Sequence, residues 1–372
     1  MQSKYAWKNL DLVNTLFLCL TPFIAVALTW YWLSTENFQW SQLVAAFVFY
    51  VLSGISITAG YHRLFAHRTY SAHPIVKLFF LFFGAGAFQN SVYKWATDHR
   101  THHAKVDTDD DPYNIQEGFF YAHIGWVFLK KNSILDPKNA RDLEKDPLVM
   151  WQHKYYIWIA GFSGLILPCL VGGIFFDSYL GGLALGGFVK TVLIHHCTFF
   201  INSLCHCVGT TPYTDTNSAK DSWYMALFTF GEGYHNFHHF FQTDYRNGIR
   251  WYQFDPTKWL IQALSWVRLA SKLKVTPVEK ILQARMNMRI HRLKKKKISQ
   301  DFIQELESLQ QKVLANLVVF HEMKRAFKVE RKLKNEVIVR QIKVKMELAH
   351  LEFQFAQRQI QLKLQLLGYV KI

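Results

Sequence analysis

Apolar residues along this chain gather in long runs rather than alternating with polar ones. Residues 10–33, 41–60, 157–180 and 183–204 are each close to the roughly 20 residues that a helix needs to cross the hydrocarbon core of a bilayer, and Lys190 is the only Lys or Arg among them. Four transmembrane helices are predicted. The first run follows Lys4 and Lys8 as the core of a signal peptide would, but it is long and lacks a small-residue cleavage site, so it is expected to stay as a helix. A fifth apolar run, Ile75 to Val92, has no obvious place in this pairing.

The pattern changes after residue 275. From Val278 to Leu367 there is no Gly or Pro, and helix-forming residues dominate, which predicts a helical extension over 276–372. Two stretches inside it alternate as a strand would: Ile342, Val344, Met346 and Leu348, then Ile360, Leu362, Leu364 and Leu366.

Charge separates the two sides of the membrane. The chain is 50% hydrophobic yet carries a formal net charge of +16, which fits neither a soluble domain nor a disordered chain. Lys and Arg number 2 in residues 1–60, 12 in 61–156, 1 in 157–205 and 28 in 206–372. Positive residues are retained on the cytoplasmic side, so the loop 61–156 and everything after 206 are expected there. The connections around 34–40 and 174–182 hold no Lys or Arg and are expected on the opposite side. The extension, with 21 Lys and Arg against 9 Asp and Glu over 276–372, could bind anionic lipid head groups or present a solvated helix face. It has no nucleic-acid motif, and no such partner is expected.

The polar residues that matter most are histidines. His99, His102 and His103 stand at i, i+3 and i+4, as do His235, His238 and His239, so each triplet shares one face of a helix. His62 and His67 precede them, about 140° apart on an ideal helix, a pair that needs a bend or a helix end to converge. His206 lies one turn beyond Asn202 at the end of the fourth run, where polar groups face the protein interior or a site. His195 and His196, deeper in that run, are read as interhelical hydrogen-bonding residues. All nine clustered histidines fall on the cytoplasmic side. Were residues 75–92 to span the bilayer, His62 and His67 would be separated from the rest, so this run is predicted to lie in the interface or dip in and return.

Nine imidazoles exceed what one zinc site takes, and two metal ions would absorb them. Imidazole does not choose among iron, zinc and copper. A site at the head of an apolar bundle points to a hydrocarbon substrate, and an unactivated C–H bond calls for a metal that works with dioxygen, which favours iron. Cys205 and Cys207 flank His206, but no second Cys pair completes a zinc site, and the five cysteines read as free thiols. Asp107, Asp109, Asp110 and Asp111 could orient imidazoles through the other ring nitrogen, or simply form turns. Gly231 and Gly233 either let their segment approach the rest closely or end the preceding helix.

Together these ordered boxes closely resemble the membrane acyl-CoA delta-9 desaturases, the stearoyl-CoA desaturase family: Thr58-Ala-Gly-Tyr-His-Arg-Leu-Phe-Ala-His67, Phe88-Gln-Asn, Asp98-His-Arg-Thr-His-His103, Gly118-Phe-Phe with His123-Ile-Gly-Trp126, Asn202-Ser with His206, and Gly231-Glu-Gly-Tyr-His-Asn-Phe-His-His239. The match runs from about residue 10 to 255 and leaves the extension uncovered, so a desaturase domain over 1–275 is followed by a separate 276–372 unit. The resemblance implies an all-α membrane protein of four transmembrane helices under a cytoplasmic helical cap, with a di-iron centre that uses dioxygen and two electrons to place a cis double bond in a fatty acyl chain. It assigns one iron to His62, His67, His99, His103 and His238. The other goes to His102, His206, His235 and His239, with Asn202 acting through water.

For the substrate it points to Asn90, Asp98, a basic residue near Lys130, and Phe199 on the tunnel wall. Thr97 stands where the animal enzymes have Arg, and Phe199 where they have Trp, which leaves room for a lipid or a carrier protein in place of CoA. Neither a four-Cys cluster nor a Gly-rich dinucleotide fingerprint occurs, so electrons are expected from a separate cytochrome b5, ferredoxin or flavoprotein-type donor. A di-iron hydroxylase uses similar boxes. A metal transporter would need polar residues continuing through the first two spans, and they offer almost none.

Overall fold

A computed structural model describes residues 9–130, 137–296, 298–333 and 336–366, and they are overwhelmingly helical. Helix α1, Leu12–Thr35, starts where the Asp11 side chain accepts from the Asn14 backbone N–H at 3.1 Å. Its outward residues include Val13, Phe23, Val26 and Trp30, each at least 70% exposed. That surface belongs in hydrocarbon, not in water. Helix α2, Trp40–Ala66, returns across the same thickness.

A 12-residue helix, α3 (Pro74–Ala85), follows. At 1.5 Å per residue it covers about 18 Å, too little to span a core of about 30 Å. Its run is terminated by polar anchors. Lys190, the one basic residue of the four apolar runs, is buried and donates to the carbonyls of Gly86 at 2.8 Å and Gly164 at 3.3 Å. His195 bonds the Ala87 carbonyl at 2.8 Å, the interhelical role expected of it. The chain then turns into α4, Val92–Lys105, capped by the Ser91 side chain. Thus His62 and His99, on either side of the fifth apolar run, remain on one side.

Helices α5, Tyr156–Phe176, and α6, Tyr179–Cys207, complete a set of four long apolar helices. The short links 36–39 and 177–178 force antiparallel pairs, which puts the C-terminal ends of α2 and α6 on the same side. Helices α5 and α6 meet backbone to backbone. A Cβ on Gly172 would stand 2.6 Å from the Gly182 Cα, and one on Gly182 would stand 2.4 Å from the Pro168 carbonyl. Small residues are what allow such approach where lipid supplies no hydrophobic drive. On the histidine side, a short helix, α7 (His235–Phe240), carries the second triplet, and α8, Pro256–Trp266, is capped by Asp255. A two-stranded pairing of β1, Ser71–Ala72, with β2, Ala270–Ser271, ties the end of this unit to the region after α2.

The chain divides into two compact units, one of residues 1–211 with 216–275 and the other of 212–215 with 276–372. The second holds α9, Val278–Lys295, α10, Gln300–Lys332, and α11, Glu336–Leu366. Asp215 pairs there with Lys295 at 2.7 Å and His291 at 3.3 Å. The strand-like alternation at 342–348 and 360–366 is helical throughout α11, and its cause is visible. Ile342, Ala349, Ala356 and Leu364 are buried, while Val344, Leu348 and Leu362 are exposed, so the helix has two apolar faces.

If the α5–α6 contact is as tight as these distances state, Gly172→Ala forces the helices apart and costs about 1–3 kcal/mol. Thermal unfolding of the purified protein in detergent measures it; an unchanged midpoint would contradict the close approach.

Candidate metal centre

Four segments deliver the nine histidines. The first pair is brought together by a change of helix type: α2 ends in a π-helical stretch, Ser56–Ala66, whose i→i+5 turn stacks a residue over the fifth one before it. The His67 backbone N–H donates to the His62 carbonyl at 3.0 Å, and the two rings lie 4.8 Å apart. That is the bend which an ideal α-helix could not supply. Helix α4 brings His99, His102 and His103, the end of α6 brings His206, and α7 brings His235, His238 and His239.

These rings sort into two groups. His62, His67, His99, His103 and His238 form one, and His102, His206, His235 and His239 the other, with one ligand atom of each residue within 4.8 Å of all others in its group. Adjacent residues of both triplets thus point to different groups. The Nε2 atoms face inward: His67 to His99 is 2.8 Å, His62 to His238 is 3.0 Å and His238 to His103 is 2.9 Å in the first group. In the second, His206 to His235 is 3.1 Å, His235 to His239 is 3.0 Å and His102 to His239 is 3.3 Å. Two nitrogens each about 2.1 Å from one ion at right angles stand about 3.0 Å apart, so these separations suit a shared metal.

Three of the opposite ring nitrogens are hydrogen-bonded from outside. His102 Nδ1 donates to Asp111 at 2.8 Å and His99 Nδ1 meets the Tyr113 hydroxyl at 3.1 Å. His206 Nδ1 donates to Ser218 Oγ at 2.6 Å, and that hydroxyl passes its own proton toward Asp107 at 2.5 Å. His62 Nδ1 lies 2.9 Å from Glu232 Oε2, close though off the hydrogen-bond axis. Such partners fix the tautomer that leaves Nε2 a lone pair. Of the four aspartates considered, Asp111 therefore orients a histidine directly and Asp107 does so through Ser218. Asp110 sits exposed beside Lys105.

Glu232 went unassigned in the sequence, although it stands between two glycines just before the triplet. It is buried with Arg63 and Asp255. Arg63 donates to Glu232 at 2.9 Å and pairs with Asp255 at 3.0 Å, and Asn247 donates to Glu232 at 2.6 Å. Burial alone would raise this carboxyl's pKa, but His62 and Arg63 outweigh it and hold the group below its usual value as a carboxylate. Gly231 and Gly233 allow the approach. Gly231 has φ +100° and its Cβ would collide with Asp255, while a Cβ on Gly233 would stand 2.3 Å from the Ala226 nitrogen.

Burial first, and neighbouring imidazoles second, push His67, His99, His103, His235, His238 and His239 well below the ordinary histidine range. They are neutral at pH 7, as metal ligands must be. The five cysteines are free thiols; Cys205 is buried and Cys207 exposed.

A cavity of about 1170 Å³, counting its open mouth, reaches the centre. Phe17, Leu18, Ile57, Ile194, Phe199 and Phe230 make apolar wall, and His62, His99 and His235 stand at the histidine end. Asn90, Asp98 and Asn202 also line it, whereas Lys130 does not: it is exposed, with its backbone N–H on the Asn9 carbonyl at 2.7 Å. Thr97 is buried and its hydroxyl bonds the Tyr93 carbonyl at 2.7 Å, one turn back in α4. His123 bridges His196 and Ser203 at 3.0 Å each.

Fold and site define a class: a predominantly helical, multi-pass membrane protein with two histidine groups able to hold metal. Residues 38–266 match the family model described as fatty acid desaturase, and the chain belongs to that family. It is 42% identical over 276 residues, 74% of its length, to a probable acyl-CoA desaturase of Schizosaccharomyces pombe. It is 34% identical over 72% of its length to the stearoyl-CoA desaturase of Sus scrofa, covering 74% of that protein. A third relative is the sn-1 stearoyl-lipid 9-desaturase of Anabaena variabilis, at 34% over 64% of this chain and 86% of the relative. The match spans only 57% of the yeast protein's own length.

Asp111→Asn keeps shape but weakens the hold on His102, and the expected loss in affinity is about 10–100-fold for one of two bound ions. Competition with a chelator, followed by elemental analysis, reads this; equal loss of both ions would refute a separate four-histidine group. Acid acts on all six shifted histidines. Below about pH 6.5 the unfolded chain takes up protons that the native rings refuse, so stability should fall as pH drops from about 7 to 5. A flat unfolding midpoint over that range would contradict neutral, buried imidazoles.

Proposed function

We propose that this protein is a fatty acyl desaturase that places a cis double bond, at the delta-9 position, in a saturated acyl chain carried by CoA. One observation carries the reading: a long apolar cavity whose wall includes imidazoles from both histidine groups. A saturated hydrocarbon chain has no polar handle, so it is positioned only by the shape of such a wall, and Phe17, Phe88, Phe199 and Phe230 supply much of it. Asn90 and Asp98 offer the polar contacts for the head of the substrate. Lys130, outside the lining, would act at most on the exposed part of the carrier.

The nine imidazoles fit two irons: His62, His67, His99, His103 and His238 would hold one, and His102, His206, His235 and His239 the other, with Asn202 as a neighbour acting through water. Bound iron, with dioxygen and two electrons, supplies the oxidising power needed to remove two hydrogens from adjacent CH₂ groups. The balance is CH₂–CH₂ + O₂ + 2e⁻ + 2H⁺ → CH=CH + 2H₂O. The protein's own part is to keep the reacting carbons beside the imidazoles, hold the rings of His99, His102 and His206 by their Nδ1 partners and keep bulk water out. Electrons come from a separate donor protein, and the Lys and Arg distribution supports a centre on the cytoplasmic side.

Expression in a desaturase-deficient host, with fatty acids analysed by gas chromatography and mass spectrometry, tests this. A delta-9 monounsaturated product is expected from the wild type with a competent electron donor, and none from His235→Ala. Purified protein should hold about two irons per chain, as two histidine groups require. A correctly inserted, iron-loaded wild type that yields no unsaturated product would sink the proposal. Product from a lipid-linked but not a CoA-linked substrate would change the carrier.

A further inference from the structure

Helix α11 has two apolar faces, and among the described residues only one of them is covered. The inner face, with Ile342, Ala349, Ala356, Ile360 and Leu364, packs against α10. On the far side run Val337, Val344, Leu348, Leu351, Phe355 and Leu362, exposed by 48 to 69%. Their separations of 7, 4, 3, 4 and 7 residues follow the a and d positions of a heptad repeat. Gln341 and Arg358 fill the two remaining a and d places. Helix α11 itself carries Arg340, Lys343, Lys345, Glu347, Glu352, Arg358 and Lys363 and is no membrane span.

We propose that this outer seam is a self-association surface, at which α11 pairs antiparallel with α11 of a second copy of the chain. Antiparallel coiled coils set each a position against a d position of the partner. Here that brings Leu348 to Leu351, Val344 to Phe355 and Val337 to Leu362, each twice by the two-fold symmetry. The two polar places fall in one layer, Gln341 against Arg358, where the amide oxygen accepts from the guanidinium. The flanking positions agree. Lys345 faces Glu352 of the other copy twice along one edge, Glu347 and Arg340 face Gln354 and Gln361 along the other, and no like charges meet.

The parallel arrangement fails on the same residues. It would set Arg340 beside Lys345, Glu347 beside Glu352 and Arg358 against its own copy in the seam. A lipid surface is the poorer occupant, because Glu347 and Glu352 border the stripe, one on each side, and anionic head groups repel them. Lys345, Glu347 and Glu352 are all exposed.

The test uses the full-length protein in detergent, with its mass measured by light scattering across a concentration series. A dimer is expected for the wild type. Lys345→Glu should weaken it about tenfold, since two attractive surface pairs become repulsive, and Lys345→Glu with Glu352→Lys should restore it. Leu348→Gln with Leu351→Gln should give monomer. These positions are exposed, so metal content equal to the wild type is the check that the remainder is folded. A wild type that stays monomeric at all concentrations overturns the proposal. So does a dimer that Lys345→Glu leaves intact or tightens, the latter being the outcome of parallel pairing.

Discussion

The buried guanidinium of Arg63 is the interaction on which the site rests. It sits at the membrane-proximal end of α2, one residue after His62, and its hydrogen bonds reach Glu232, Asp255 and the Tyr245 carbonyl. Those partners belong to the segment that follows the fourth span and carries the second histidine triplet. A charge this deeply buried is costly unless it is paired and hydrogen-bonded. Once paired, it fixes residues 231–255 against α2, and with them His235, His238 and His239 against His62 and His67. Glu232 completes the logic by touching both Arg63 and His62.

The same economy recurs around the rings. Each triplet splits between the two groups, so neither group can form from one segment alone. A helix supplies the i, i+3, i+4 face, but the division of His102 from His99 and His103 depends on what stands opposite. His238 belongs with the α2 histidines, and His235 and His239 with the end of α6. The outer partners Asp111, Tyr113 and Ser218 come from the loops after α4 and α6, which explains why residues 111–114 are buried although the loop around them is largely exposed. The cavity then follows largely from the bundle below, since much of its wall is apolar residues of α1, α2 and α6, joined by Phe88 and Phe230.

Much of this was legible in the chain. Four apolar runs of bilayer length, short links without Lys or Arg and a single basic residue, Lys190, within the runs define a four-helix membrane protein, because hydrocarbon permits little else. The two i, i+3, i+4 triplets each put three imidazoles on one helix face, which with the other histidines marks a candidate metal site. Membership of the desaturase family follows from ordered motifs. What ran ahead of the residues was less visible: Lys130 lies off the cavity wall, and Glu232 carried no spacing signal beyond its flanking glycines.

The sequence by itself determined the spans and the histidine faces, because periodicity and length are local properties. Only the tertiary structure decided three further points. It converged His62 and His67 by an i→i+5 turn that composition does not announce. It kept the apolar run at 75–85 from crossing, by setting Lys190 and His195 against carbonyls at its end. It also showed that the alternation at 342–348 belongs to a helix with two apolar faces, one covered by α10. Each depends on which surfaces meet, and residues distant in the chain set that through burial and hydrogen bonding.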